Sequence, residues 1–285
     1  MKKRIIIFIL LALLLTGCKQ QDSAQLTATT LPVWEFTSAL CEGSGITVSR
    51  LVTEEVSCLH DYTLQVSQMR AVEKSEAVIC NGLGLEEFLE DALTSAALVI
   101  DASGGINPLC QEDHHDSHQH LEDPHIWLSP ENAKMMCQNI CAALCALYPE
   151  HNGLFQENLT NLLEKLDALQ VYGETELKGL SCRNLVTFHD GFSYFAESFD
   201  LHILKAVEEE AGSEASAQEL IEIIHIIEEN QLPGIFVELN GSTAAAQIIA
   251  EETGAGVYAL DMAMAQNGYF DAMYHNIDTI KEALG

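Results

Sequence analysis

Residues 77–100 of the chain read AVICNGLGLEEFLEDALTSAALVI and contain the unit that is repeated along most of the sequence. Two short apolar runs, residues 77–80 and 97–100, flank a segment with helical spacing of its apolar residues, Glu86 to Leu93. Short apolar strands separated by helices are typical of a parallel sheet that is covered on both faces. This pattern predicts an α/β protein.

The same alternation occurs in two groups. Further strands are predicted at residues 46–52, 184–187, 203–207, 234–238 and 257–260. A polar loop at 101–121 and a long helical stretch at 154–177 separate the first group from the second, and Gly173 weakens the helical pattern within that stretch. We therefore expect two lobes, each a mostly parallel sheet flanked by helices, joined by one long backbone helix, with a binding site in the cleft between them.

The N-terminus has the features of an export signal. Three basic residues, Lys2 to Arg4, precede eleven apolar residues, Ile5 to Leu15. Eleven residues at a rise of ~1.5 Å are too few to cross ~30 Å of hydrocarbon, so this segment is interpreted as a signal peptide and not as a permanent span. The following Leu15-Thr16-Gly17-Cys18 resembles a bacterial lipobox, which predicts lipidation of Cys18. The protein is thus expected on the extracytoplasmic face of the cell membrane, anchored by its lipid.

These patterns together divide the chain into five parts. The predicted parts are a signal peptide at 1–17, a lipidated tether at 18–26, an N-terminal lobe at 27–150 with a histidine-rich loop at 111–120, a linking helix at 151–180, and a C-terminal lobe at 181–285.

The charge of the chain excludes one large class of partner. There are 13 basic and 43 acidic residues among 285, which gives a formal net charge of −30. Such a field repels phosphate backbones and attracts cations. Nucleic-acid binding is therefore not expected.

Histidines are placed where a metal site would form. Four of the eleven lie in the loop: His114, His115, His118 and His120. His60, His125 and His189 each follow or close a strand-like segment, and Asp261 comes directly after a predicted strand. Loops at the carboxyl ends of strands bring distant residues together, and imidazole nitrogens with one carboxylate are typical ligands of zinc.

A second group of metal-ligating side chains lies on one predicted helix. Cys137, Cys141 and Cys145 recur every four residues and so share one helix face. Two interpretations are open at this point: a stripe of small buried residues that packs against a neighbour, and a thiolate metal site.

Motifs in a fixed order along essentially all of the mature chain carry a resemblance to one family. They are Ala28-Thr29-Thr30-Leu31-Pro32, His60-Asp61-Tyr62, the run CNGLGLEEFL at 80–89, Asp123-Pro124-His125-Ile126-Trp127-Leu128-Ser129-Pro130, Phe188-His189-Asp190-Gly191, Ile235-Phe236-Val237-Glu238 and Leu260-Asp261. The chain resembles the zinc- and manganese-binding lipoproteins that deliver metal to ABC importers. The resemblance implies that His60, His125, His189 and Asp261 hold the metal, and that the partners are the permease of an ABC importer and its ATPase. We also expect a monomer.

Three imidazoles and one carboxylate favour Zn²⁺ as the bound ion, with Mn²⁺ as the alternative. The histidine loop is expected to gather metal as a secondary site. Because imidazole must be neutral to bind metal, affinity should fall as the pH drops through the histidine range. A zinc hydrolase is the competing class, but four protein ligands would leave no open position for water, and Glu238 is the remaining strand-end carboxylate. A histidine-rich metal buffer or an adhesin at the cell surface is a third class.

Overall fold

The computed structural model describes residues 24–54, 59, 62–109, 122–208, 216–264 and 267–285. The predicted signal peptide at 1–17 and Cys18 lie outside the described residues. In the parts of the chain that are described, none of the helices is both long and apolar enough to cross a membrane.

The first half of the chain forms a four-stranded sheet. Its strands are β1 (Leu26–Ala28), β2 (Val48–Arg50), β3 (Ala77–Cys80) and β4 (Val99–Asp101), and its helices are α1 (Leu31–Leu40), α2 (Val66–Lys74) and the short α3 (Glu90–Leu93). The strands are parallel and lie in the order β2-β1-β3-β4. All four residues of β3 are buried, as expected for a strand covered on both faces.

The second half repeats this topology. Its strands are β5 (Asn184–His189), β6 (His202–Glu208), β7 (Gly234–Glu238) and β8 (Gly256–Leu260), in the order β6-β5-β7-β8 and again parallel. Both sheets therefore reverse their strand order beside their first strand, which is where α/β sheets bind ligands.

Long helices connect the two halves. They are α5 (Asn152–Glu176) and the C-terminal α9 (Tyr269–Leu284). Helix α4 (Pro130–Leu147) packs on the first half, and α6 (Ser193–Ser198), α7 (Ala217–Asn230) and α8 (Ala244–Thr253) belong to the second half. Helix α9 packs on α5 and returns to α1, where the rings of Tyr269 and Phe36 meet edge to face at 4.9 Å. One continuous buried cluster consequently includes residues of both sheets, such as Leu26 and Phe236.

The predicted two-sheet α/β fold with its long helix is confirmed, and several bounds differ. Leu26, which the sequence pattern places in the tether, begins β1 and is fully buried. The helix predicted to start at Glu86 begins with a 3₁₀ turn at 87–89.

Helix α5 runs without a break through Gly173, where the sequence pattern was weakest. A Cβ atom at this position would lie within 3.0 Å of three atoms of the Phe199 ring. The missing side chain therefore lets the helix approach the second half of the chain closely. This close contact explains why glycine stands here although it has a low helix propensity.

Gly173→Ala is expected to destabilise the protein by about 1–3 kcal/mol, because the added methyl group overpacks the contact with Phe199. Gly153→Ala in the same helix is the matched control, since nothing lies within 4 Å of a Cβ there. It should leave stability unchanged or raise it by up to about 1 kcal/mol through helix propensity alone. Urea unfolding followed by circular dichroism measures both, and equal effects of the same sign would contradict this account of Gly173.

Candidate metal centre

His125 lies in the loop before α4 and is held by a carboxylate two residues away. It is 6% exposed, and its Nδ1 lies 2.8 Å from Asp123 Oδ1, which also accepts from the backbone N–H of His125 at 2.9 Å. This geometry assigns the ring proton to Nδ1, because a carboxylate accepts. Nε2 is then left with its lone pair, which is the form of a metal-binding imidazole.

The loop that carries His125 is fastened to the first sheet by the Asn-Gly-Leu-Gly-Leu-Glu segment. Asn81 Nδ2 donates to the carbonyl of Pro124 at 2.9 Å. The Glu86 carboxylate in turn accepts from the backbone N–H groups of Asn81 at 2.7 Å and Gly82 at 3.1 Å, and from the hydroxyl of Thr29 at 2.7 Å. Complete burial raises the pKa of Glu86, while these hydrogen bonds oppose that shift.

His189 is the last residue of β5, in the second half. It is 4% exposed. The register of β5 with β7 pairs Thr187 with Phe236, so two residues further along both strands His189 comes beside Glu238. Their side chains meet accordingly, with His189 Nδ1 at 3.7 Å from Glu238 Oε1. Each imidazole thus has a buried carboxylate on its Nδ1 side, Asp123 for His125 and Glu238 for His189.

The two imidazoles face each other through their Nε2 atoms. These atoms are 3.4 Å apart, and the ring planes are at 89° with centroids 5.2 Å apart. Two bonds of about 2.0–2.1 Å to one tetrahedral ion would place their nitrogens ~3.3–3.4 Å apart. The separation is therefore the one that a shared zinc-sized ion requires.

Asp261 follows β8 in a tightly bonded turn and is 4% exposed. Its Oδ1 accepts from the backbone N–H of Ala263 at 2.8 Å, and Asn276 bonds both backbone groups of Asp261 at 2.7 Å. The side chain of the next residue, Met262, lies near the His189 ring, because a Cβ atom at Gly191 would be 2.7 Å from Met262 Cε and 2.6 Å from His189 Cδ2.

Hydrogen bonds between the two halves surround the pair. Trp127 Nε1 donates to the carbonyl of Met262 at 2.8 Å, and the Tyr269 hydroxyl donates to the carbonyl of Trp127 at 2.9 Å. The Tyr194 hydroxyl donates to the carbonyl of Asp123 at 2.8 Å. Burial raises the pKa of Tyr194 to about 12, so this hydroxyl keeps its proton at neutral pH.

The structure brings together two of the four predicted ligands, His125 and His189. His60 lies outside the described residues, as do His114, His115, His118 and His120 of the predicted secondary site. Within the described residues, no group of three or more His, Cys, Asp or Glu side chains is arranged to hold a metal ion. The set of His60, His125, His189 and Asp261 therefore stays a prediction.

The sequence does not predict two residues that support the imidazoles. Asp123 lies two residues before His125, and this short spacing is itself a signal for a local hydrogen bond. Glu238 ends a strand, and its neighbour depends on strand register, so the sequence carries no signal for its pairing with His189. The remaining histidines, His151, His202, His225 and His275, are exposed or half-buried side chains elsewhere in the fold.

Comparison with known proteins supplies relatives along nearly the whole chain. It is 29% identical to a candidate metal-binding protein of Treponema pallidum (94% of this chain, 92% of the relative) and 26% identical to the high-affinity zinc uptake system protein ZnuA of Bacillus subtilis (92% and 88%). The zinc-binding lipoprotein AdcA of Streptococcus pneumoniae is 26% identical over 96% of this chain, which spans 59% of AdcA.

Solved structures show the same fold. A crystal structure of ZnuA superposes with a TM-score of 0.81 at 31% identity, covering 93% of this chain and 100% of that one. A zinc-bound deletion mutant of ZnuA superposes with a TM-score of 0.77 at 30% identity, covering 93% and 99%. The solute-binding protein FpvC of Pseudomonas aeruginosa, solved with Mn²⁺, has a TM-score of 0.82 at 22% identity over 92% and 99%, and at that identity it supports the fold alone.

The sequence model of one family, the periplasmic zinc-uptake complex component A, matches residues 26–283. This match confirms the resemblance seen in the motifs. It also confirms the interpretation as a carrier over that as a hydrolase, since the family consists of solute-binding proteins and not of enzymes. The chain belongs to the zinc-uptake complex component A family.

Proposed function

We propose that the chain captures Zn²⁺ between its two halves and presents it to an ABC importer, with the zinc as cargo. One observation carries the proposal: two buried imidazoles, one from each half, face each other with their Nε2 atoms 3.4 Å apart. The carboxylates of Asp123 and Glu238 lie on the opposite edges of the rings. Such carboxylate–histidine pairs orient metal-binding imidazoles and increase their basicity.

The proposed ligand set is His60, His125, His189 and Asp261. Three nitrogens and one oxygen suit four-coordinate zinc, whereas Mn²⁺ prefers a shell richer in oxygen. The zinc-bound ZnuA structure and the relatives named for zinc support this choice. Mn²⁺, the alternative that the sequence leaves open, is the rival cargo, and the titrations below distinguish the two ions.

The arrangement also supports a coupling of capture and release to the importer. His125 belongs to a loop of the first half and His189 to a strand of the second, so a small separation of the halves removes one ligand from the ion. Docking on the permease is proposed to cause that separation, and the ATPase is proposed to drive transport. The histidine loop at 111–120 is proposed to gather metal near the cleft.

The N-terminus of the chain is proposed to anchor the protein to the membrane. Lipidation at Cys18 and a tether that ends before Leu26 would hold a monomer at the extracytoplasmic face, next to the importer. The lipobox sequence supports this anchor, and so does the relative AdcA, which is named a lipoprotein. The lobes are proposed to span residues 27–150 and 181–285, with the linking helix at 151–180.

His189→Ala is expected to abolish tight zinc binding, because it removes one of the two facing imidazoles. The matched control is His202→Ala, an exposed histidine of β6. Calorimetric titration of the metal-stripped, reduced chain with Zn²⁺ and separately with Mn²⁺ measures both variants. Zinc binding that survives His189→Ala undiminished would contradict the site, and tight manganese binding with weak zinc binding would change the proposed cargo.

Asp123→Ala is expected to lower zinc affinity by roughly 10- to 100-fold, since the His125 ring loses the carboxylate that orients it. Asp167→Ala serves as the control, because that carboxylate is exposed and pairs with Lys134. Competition with a zinc-binding dye gives both affinities. An Asp123 variant that binds as tightly as the control would show that the carboxylate has no part in positioning His125.

Gly191→Ala tests the site by crowding it. The added methyl group would lie 2.6 Å from His189 Cδ2 and 2.9 Å from its Nε2, so the ring must leave its present position. We expect zinc affinity to fall at least tenfold, whereas Gly179→Ala, with nothing within 4 Å, should bind as wild type does. The thermal shift caused by saturating zinc checks this result: a Gly191 variant with a wild-type shift would argue against a ligand role for His189.

A further inference from the structure

Two thiols of helix α4 lie side by side where α4 packs against α5. Cys141 is buried and Cys145 is half-buried, and their Sγ atoms are 4.0 Å apart. The next helix supplies polar groups: Asn152 Oδ1 accepts from the Cys145 thiol at 3.3 Å, and Gln156 Nε2 donates to both sulfurs at 3.5 Å. Both cysteines also pack in or against the main buried cluster, and the Cys141 thiol donates to the carbonyl of Phe155 at 3.7 Å. The two sulfurs therefore have apolar neighbours on one side and the amide groups of α5 on the other.

A disulfide is not the natural product of this pair. Residues four apart on a helix have Cβ atoms ~5–6 Å apart, whereas a disulfide requires about 3.5–4.5 Å. Closing the bond would therefore distort α4. A metal ion imposes no such distortion: with metal–sulfur bonds of about 2.3 Å, the two sulfurs lie ~3.8 Å apart at a tetrahedral angle and ~4.6 Å apart in a linear arrangement. The observed 4.0 Å lies between these limits.

We propose that Cys141 and Cys145 form a second metal site, distinct from the His125–His189 pair, that takes a soft monovalent cation of the Cu(I) class. Thiolates select soft cations. Within the described residues, no third Cys, His, Asp or Glu side chain joins the pair to form a metal-holding group, so the site suits an ion of low coordination number better than zinc, whose structural sites have four ligands.

Binding needs no redox step. Each thiol S–H bond breaks as a sulfur–copper bond forms, two protons pass to water, and copper remains Cu(I). Asn152 Oδ1, released from the thiol proton, then faces the ion as a weak oxygen donor. Gln156 Nε2 continues to donate to the sulfurs and so stabilises the thiolates. Asn152 and Gln156 are exposed, which leaves a path of entry for the ion, and the overall negative charge of the protein attracts it.

The site is independent of the cleft in position. Cys141 and Cys145 lie 11 and 15 residues beyond Pro130, which begins α4 next to the His125 loop. At a rise of ~1.5 Å per residue, this places the thiols roughly 16–22 Å along the helix from that end. Occupation of one site is thus expected to leave the other unchanged.

The test is an anaerobic titration of the reduced, zinc-saturated full chain with Cu(I), in competition with bicinchoninate. Wild-type protein should bind one equivalent of Cu(I). In Cys145→Ser the affinity for Cu(I) should fall by more than about 100-fold, because the loss of a ligand should cost more than the roughly 10- to 100-fold that changes in the outer shell cost. Cys182→Ser, a half-buried cysteine of the second half, is the matched control and should bind as wild type. X-ray absorption at one equivalent should give two sulfur neighbours.

His189→Ala separates this proposal from that of the zinc cargo, because it should lose zinc and keep Cu(I). Asn152→Leu provides a variant with both thiols intact and should weaken Cu(I) binding about tenfold. Full Cu(I) binding by Cys145→Ser, or loss of Cu(I) in His189→Ala, would overturn the thiol site. So would a Cys141–Cys145 disulfide found by mass spectrometry as the main product of air oxidation.

Discussion

The closeness of two imidazoles from different halves of the chain is the constraint on which the rest of the structure depends. Two Nε2 atoms 3.4 Å apart in a buried site are a favourable arrangement when a cation lies between them and shares both lone pairs. The carboxylates behind the rings would compensate the charge of such an ion in this buried place. Loops, strand register and helix packing all serve to hold these two rings in position.

The two halves reach the same result by different means. Asp123 and His125 are two residues apart, so their pairing is local and requires only that the loop keep its shape. His189 and Glu238 are 49 positions apart, and only the parallel register of β5 with β7 brings them together. A change in the sheet would therefore disturb His189 first. The His125 side is vulnerable instead through Asn81, which ties its loop to the first sheet.

The sequence predicts the repeated strands, the long helix and the two facing imidazoles, because apolar runs and strand-end histidines are visible along the chain. It does not reveal β1, since Leu26–Ala28 is too short for a periodic pattern and is defined by pairing with β2 and β3. The weakened helical pattern at Gly173 does not end the helix, because glycine stands there to make room for the ring of Phe199, which is distant in the sequence. The partnership of Glu238 with His189 was likewise not predictable, because register is a property of the folded sheet. His60 and Asp261 as ligands stay predictions.

The way the halves are joined limits how the cargo can leave. Helix α5 is a rigid connection of 25 residues, and α9 crosses back to α1, where the backbone N–H of Tyr269 donates to Glu35 at 2.9 Å. The bond from Trp127 to Met262 adds a third link next to the metal centre. With contacts on several sides of the cleft, a wide hinge opening would break buried hydrogen bonds together with shared core packing. The His125 loop is itself held by Asn81 and Tyr194, so a movement of that loop alone would also break buried hydrogen bonds. A small separation of the halves is therefore the movement that we expect to accompany release.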